Sequence, residues 1–142
     1  MTNSLELSIT KVIPAAPQVV FDAWLDPKAL ARFMSPGEGI TVPKAESDAR
    51  VGGNFLVVMK AGEKELPHHG EYKTIDKYDR IVFTWLSAHA SDDSTVTLSF
   101  KELGDGETEL TLHHIGFPNQ ESCDNHTGGW NAIVGKLAGL VS

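Results

Sequence analysis

Hydrophobic positions change their rhythm three times along this chain. "LELSITKVI", residues 5–13, alternates Leu5, Leu7 and Ile9 with Glu6, Ser8 and Thr10, the two-residue period of a strand with one buried face. "PAAPQVVFDAWLDPKALARFM" shifts to helical spacing at Val20, Phe21 and Trp24, with Pro17 suited to a first helical turn. Asp26-Pro27 breaks that run before a second short helix carrying Leu30 and Phe33. From about Val42 to Gly116 alternation returns in "NFLVVMK", "HHGEYKTI", "RIVFTWLS", "TVTLSFKEL" and "TELTLHHIGF". The turn-formers between them, "VGGN" at 51–54, "AGEK" at 61–64, "DKYD" at 76–79, "ASDDS" at 90–94 and "GDGE" at 104–107, make links short enough for an antiparallel meander.

Alternation also assigns faces. Ile81, Phe83 and Trp85 share one side of their strand, Val96, Leu98 and Phe100 of the next, and Leu110, Leu112 and His114 of a third. A sheet with one apolar face has to be covered, and the remaining element is the closing stretch "HTGGWNAIVGKLAGLVS", residues 126–142. At 100° per residue, Trp130, Ile133, Val134, Leu137, Leu140 and Val141 fall in one arc, which Cys123 and His126 extend backwards. Its glycines each cost a helix interior roughly 1 kcal/mol relative to alanine, so packing rather than propensity must place them. Gly128, Gly135 and Gly139 gather with Ala132 opposite the apolar arc, a small-residue stripe that suggests close packing in a homodimer. Gly129, at the edge of the arc, is expected to let the helix sit close to the sheet.

Composition narrows the classes. At 142 residues and 41% hydrophobic the chain is expected to form a single domain, residues 1–142, with one core. The formal charge is −7 and Lys and Arg occur singly, so no footprint for nucleic acid or an anionic membrane is visible. The longest apolar runs are strand-length and the first residues lack a basic start with an apolar block, which points to a soluble cytoplasmic protein. Cys123 is the only cysteine, so no internal disulfide forms.

One strand, two short helices, a run of antiparallel strands and a long terminal helix resemble the helix-grip fold of the START-like, Bet v 1-like (SRPBCC) superfamily. The motifs look like its branch of homologues of the activator of the heat-shock protein 90 (Hsp90) ATPase. "PAAPQVVFDAWLDPKALARFM" matches the opening P-x-VFxAWxDPxxLxxW pattern, with Phe33 in place of tryptophan. "DARVGGNFLVVM" matches RxGGxF, "HHGEYKTIDKYDRIVFTW" matches GxVxEIxPxxRLxFTW, "TELTLHHIGF" matches TxLTLxHxGF and "HTGGWNAIVGKLAGLV" matches GWxxxLxxL. The resemblance implies an α+β fold in which a curved antiparallel sheet of about six or seven strands wraps a long C-terminal helix, with two short helices after strand 1. It also implies a cavity between sheet and helix. In that cavity Tyr72 and His114 would orient a ligand, and Phe83, Trp85, His126, Trp130, Val134 and Leu137 would enclose it.

Chemistry is sparse. Asp48, Glu71, Asp76 and Glu109 alternate outward or sit in turns, so no catalytic carboxylate pair faces inward. No nucleophile elbow, phosphate loop or dinucleotide fingerprint occurs. His114 is either a hydrogen-bonded core histidine or a general base. His114, Cys123 and His126 offer three metal ligands but no fourth, short of what structural zinc takes. The neighbours His68-His69 and His113-His114 point to opposite faces, leaving His68, in line with Gly70 and Tyr72, as a further cavity candidate. The residues therefore favour a cofactor-free, non-enzymatic binder of a small hydrophobic or aromatic molecule. The resemblance adds two alternatives: a chaperone-associated module of the stress response, or a cyclase- or hydrolase-type enzyme using His114.

Overall fold

The computed structural model describes residues 5–87 and 94–141. Of the turn expected at 90–94, residues 90–93 lie outside that range. Strand β1 spans Glu6–Ile13 and is followed by helices α1 (Pro17–Leu25) and α2 (Pro27–Phe33). Six strands come next, β2 (Ile40–Ser47), β3 (Asn54–Ala61), β4 (Lys64–Asp76), β5 (Arg80–Thr84), β6 (Thr95–Gly104) and β7 (Glu107–Ile115), before α3 (Gln120–Val141). The strands form one antiparallel sheet in the order β1-β7-β6-β5-β4-β3-β2. It curls as a half-barrel around α3, the helix-grip architecture.

Each element follows from a local cause. Asp26 ends α1 and caps α2, its carboxylate accepting the Lys28 N–H at 3.0 Å, while Pro17 and Pro27 open the two helices where a missing N–H costs nothing. β6 and β7 alternate because one face is buried: Val96, Leu98, Phe100, Leu110, Leu112 and His114 are all inside. β4 extends further back than "HHGEYKTI", through Pro67, whose ring is tolerated because pairing to β5 begins only at Tyr72. Gly70 is required where it is. A Cβ there would fall within 1.8 Å of the Thr84 carbonyl oxygen and 2.7 Å of the Phe55 ring.

The core lies between the concave face and the helices. On α3, Cys123, Trp130, Ile133, Val134 and Leu137 are buried, whereas Leu140 and Val141 are only partly covered and pack at its margin. Trp24 of α1 meets Phe33 of α2 edge-on at 5.0 Å and Trp130 at 6.4 Å, joining all three helices in one aromatic cluster. No helix among the described residues is long and apolar enough to cross a membrane.

Candidate functional site

Between the β3–β4 hairpin and the first half of α3 lies a hollow of about 180 Å³. The sheet side supplies Met59, Leu66, His68 and Trp85, and the helix side supplies His126, Gly129, Trp130 and Ile133. Pro36, from the loop after α2, closes one edge, and the exposed Asn125 marks the rim. Met59 descends from Phe55 and Val57, and Leu66 and His68 precede Gly70 and Tyr72, at two-residue spacing, so both rows reach the hollow from the concave face. The walls are apolar, as small-molecule sites usually are.

Two imidazoles interrupt that apolar lining. His68 stacks on Trp85 with ring centroids 4.8 Å apart, and its Nδ1–H donates to the Leu66 carbonyl at 2.9 Å. His126 Nδ1–H donates to the Ser122 carbonyl, one helical turn back, at 2.8 Å. A carbonyl only accepts, so Nδ1 carries a proton in both rings, and the neutral His68 imidazole keeps its lone pair on Nε2. Burial pushes the His68 imidazole down to about 4, with the His126 and His69 charges acting in the same direction against the Leu66 hydrogen bond. The Trp85 indole N–H is buried without an acceptor among the described residues.

The residues expected around a ligand do not all meet here. Trp85, His126 and Trp130 line the hollow; Trp85 and Trp130 also touch each other, with ring centroids 4.9 Å apart. Tyr72 and Phe83 face a separate void of only about 10 Å³ beneath Trp24, and the Tyr72 hydroxyl is bonded to Ser47 at 2.8 Å. Burial, the largest influence, raises the Tyr72 phenol, with Ser47 opposing. Val134 and Leu137 are packed in the core. The hollow's other walls, Pro36, Met59, Leu66 and Ile133, were not singled out; period-two alternation could have found Met59 and Leu66, but nothing local marks Pro36.

His114 sits deeper. It is wholly buried, flanked across the sheet by Leu7 on β1 and Val96 on β6, and both ring nitrogens are engaged. The Trp130 Nε1–H donates to Nδ1 at 2.9 Å, so the proton lies on Nε2 and is donated to the Ser94 hydroxyl at 2.7 Å. Burial holds this imidazole down at about 3, with His126 and His113 contributing in the same direction. A neutral, doubly bonded ring of this kind orients Trp130; it has no lone pair left for a substrate proton. Cys123 is also buried, its thiol directed at the Glu6 carbonyl oxygen at 3.6 Å. Among the described residues no three His, Cys, Asp or Glu side chains gather as a metal-binding set, so His114, Cys123 and His126 do not converge as one.

The glycines of α3 divide as well. Gly128, Gly135 and Gly139 would meet nothing within 4 Å if given a Cβ. Gly129 approaches the loop rather than the sheet: a Cβ there would lie 3.2 Å from the Pro36 side chain. This corrects the expectation that Gly129 brings the helix down onto the strands, because the nearest neighbour on that side of the helix belongs to the chain leaving α2.

Comparison with known proteins agrees with this architecture. The family model of Activator of Hsp90 ATPase homolog 1-like protein matches residues 14–142. Protein CV1439 from Chromobacterium violaceum is 30% identical, with 96% of each chain covered and a TM-score of 0.88. The AHSA1 protein SPO3351 from Silicibacter pomeroyi is 26% identical over 95% of this chain and 96% of its own, with a TM-score of 0.79. PFC0360w, an HSP90 activator from Plasmodium falciparum, shares the fold at 23% identity, covering 96% of this chain and 95% of its own with a TM-score of 0.75. No curated protein matches the chain in sequence. With nearly the whole length matched in order, the chain belongs to the family of Activator of Hsp90 ATPase homolog 1-like proteins.

Proposed function

We propose that this protein binds a small, largely apolar aromatic molecule in the hollow between the β3–β4 hairpin and α3, and that it does so without catalysis. The observation that carries this reading is the hollow itself: about 180 Å³ bounded by Met59, Leu66, Trp85, Trp130 and Ile133. An apolar cavity of roughly 150 Å³ takes a benzene-sized guest, so one substituted ring is the right scale. The site is smaller than the roughly 300–1,000 Å³ common for drug-sized ligands, which argues against a large lipid. His114 is left out as a general base because both its nitrogens are bonded internally.

The test is a methyl- and indole-detected NMR titration with para-xylene. Shifts confined to Met59, Leu66, Trp85, Trp130 and Ile133 are expected, and they should vanish in Ile133→Trp, which fills the hollow; Leu66→Phe is a milder filling variant should the first fold poorly. Saturating para-xylene with no shift at these residues removes the proposal. A second reading, association with an Hsp90-type chaperone, is favoured by family membership alone; stimulation of the chaperone's ATPase by the purified protein would support it, and an unchanged rate with no co-sedimentation would end it.

A further inference from the structure

Two surface charges stand at the unfavourable ends of their helices. Asp22 lies in the last turn of α1, where the carbonyl end favours a cation, and Lys28 lies in the first turn of α2, where the N–H end favours an anion. Among the described residues neither side chain has an ion-pair partner. Asp26 and Arg32 extend the two rows by one helical turn each, and these two suit their places: Asp26 caps α2, and Arg32 sits in its last turn. Both rows border one groove. It lies between α1, α2 and the last turn of α3, holds about 460 Å³, and has Val19, Ala29, Leu140 and Val141 among its walls. Val19 remains 47% exposed there, one of the few large hydrophobic side chains so open to water.

A groove with an acidic rim on α1 and a basic rim on α2 is complementary to itself. A two-fold axis running along it sets the α1 rim of one copy against the α2 rim of the other. We propose that this groove is a homodimer interface, closed by a second copy of the chain through reciprocal Asp22–Lys28 pairs beside the covered Val19. Local helix electrostatics oppose both charges, and the pairing gives each of them the partner it lacks within its own chain. A partner of one charge sign fits less well: an acidic segment meets Lys28 and Arg32 but is repelled by Asp22 and Asp26, and a basic segment has the reverse difficulty. With a formal charge of −7, two copies repel at long range, so the attraction is confined to the contact itself and association is weak.

The experiment is sedimentation equilibrium on the full chain from about 10 µM to about 1 mM, the range suited to a small, weak interface. The mean mass is expected to rise from the 15.4 kDa monomer toward twice that value. Asp22→Lys and Lys28→Glu each place at their helix end the charge that end favours, so both variants should fold, which the urea midpoint checks. Asp22→Lys also makes the chain less negative and so reduces the general repulsion between copies. Each variant alone should nevertheless associate on the order of tenfold more weakly, because its two rims now match in sign. An equimolar mixture of the two should recover a heterodimer at about the affinity of the unaltered chain, since every rim again faces its opposite. Should Lys28→Glu fold poorly, Arg32→Glu on the same rim takes its place. A 15.4 kDa mass at every concentration overturns the inference. A dimer that neither substitution weakens overturns it in favour of another face, and a mixture no tighter than the separate variants overturns the charge pairing on which it stands.

Discussion

Acid should unlock this fold through His114. The ring is wholly buried between Leu7 and Val96, neutral, and bonded at both nitrogens, with its folded value pushed down to about 3 from the ordinary 6.5. The unfolded chain therefore takes up a proton that the folded chain refuses at any pH between those two values. Stability is complete above about pH 7, where both forms are neutral, and is lost progressively as pH falls from 6.5 toward 3. At about 1.4 kcal/mol for each unit separating the two values, the loss from this one ring between about pH 7.5 and about pH 4.5 is about 2 to 3 kcal/mol. That is a large share of the roughly 5–15 kcal/mol that holds a domain together. Urea unfolding of the unaltered protein and of His114→Gln across that range isolates the effect, because every other titrating group is common to both. Glutamine offers one acceptor and one donor for Trp130 and Ser94 and does not titrate. The variant should be less stable at neutral pH yet have a pH slope shallower by about 2 kcal/mol over the interval. Parallel curves would refute the buried neutral histidine.

Other perturbations follow from single contacts. Trp130→Phe strips the donor from His114 Nδ1 and leaves a buried acceptor unmet, at a cost of about 2–4 kcal/mol readable from the urea midpoint. Gly70→Ala should cost about 3 kcal/mol or more, since its Cβ would collide with the Thr84 carbonyl and the Phe55 ring; ordinary thermal stability would show that the gap can be closed by rearrangement. Gly135→Ala, with open space around it on α3, should instead raise stability by about 0.5–1 kcal/mol in the same assay.

What could be read ahead of the structure was whatever depends on neighbours in sequence. Alternation at Val96, Leu98 and Phe100, and the Asp26-Pro27 break, fixed strand faces and helix ends, because burial of one face enforces a period and a proline enforces an end. Family motifs then supplied the curved antiparallel sheet wrapped around the last helix. The location of the hollow escaped, because it depends on how deeply rings from distant elements interlock. Phe83 and Trp85 share one strand face, yet Phe83 packs against Phe55 beside a void of only about 10 Å³ while Trp85 lines the hollow of about 180 Å³. His114 carried both a structural and a chemical reading until Trp130 and Ser94, 16 and 20 residues away, were seen to occupy both nitrogens.

Gly129 sets a limit that no strand or helix propensity would reveal. With Pro36 so near that even one methyl on the facing helix turn would force the loop to give by a few tenths of an ångström, the fit of loop against helix at this edge of the hollow depends on a missing side chain. A bulkier residue at this turn would push the loop outward and reshape that rim from one position, with the strands beneath unchanged.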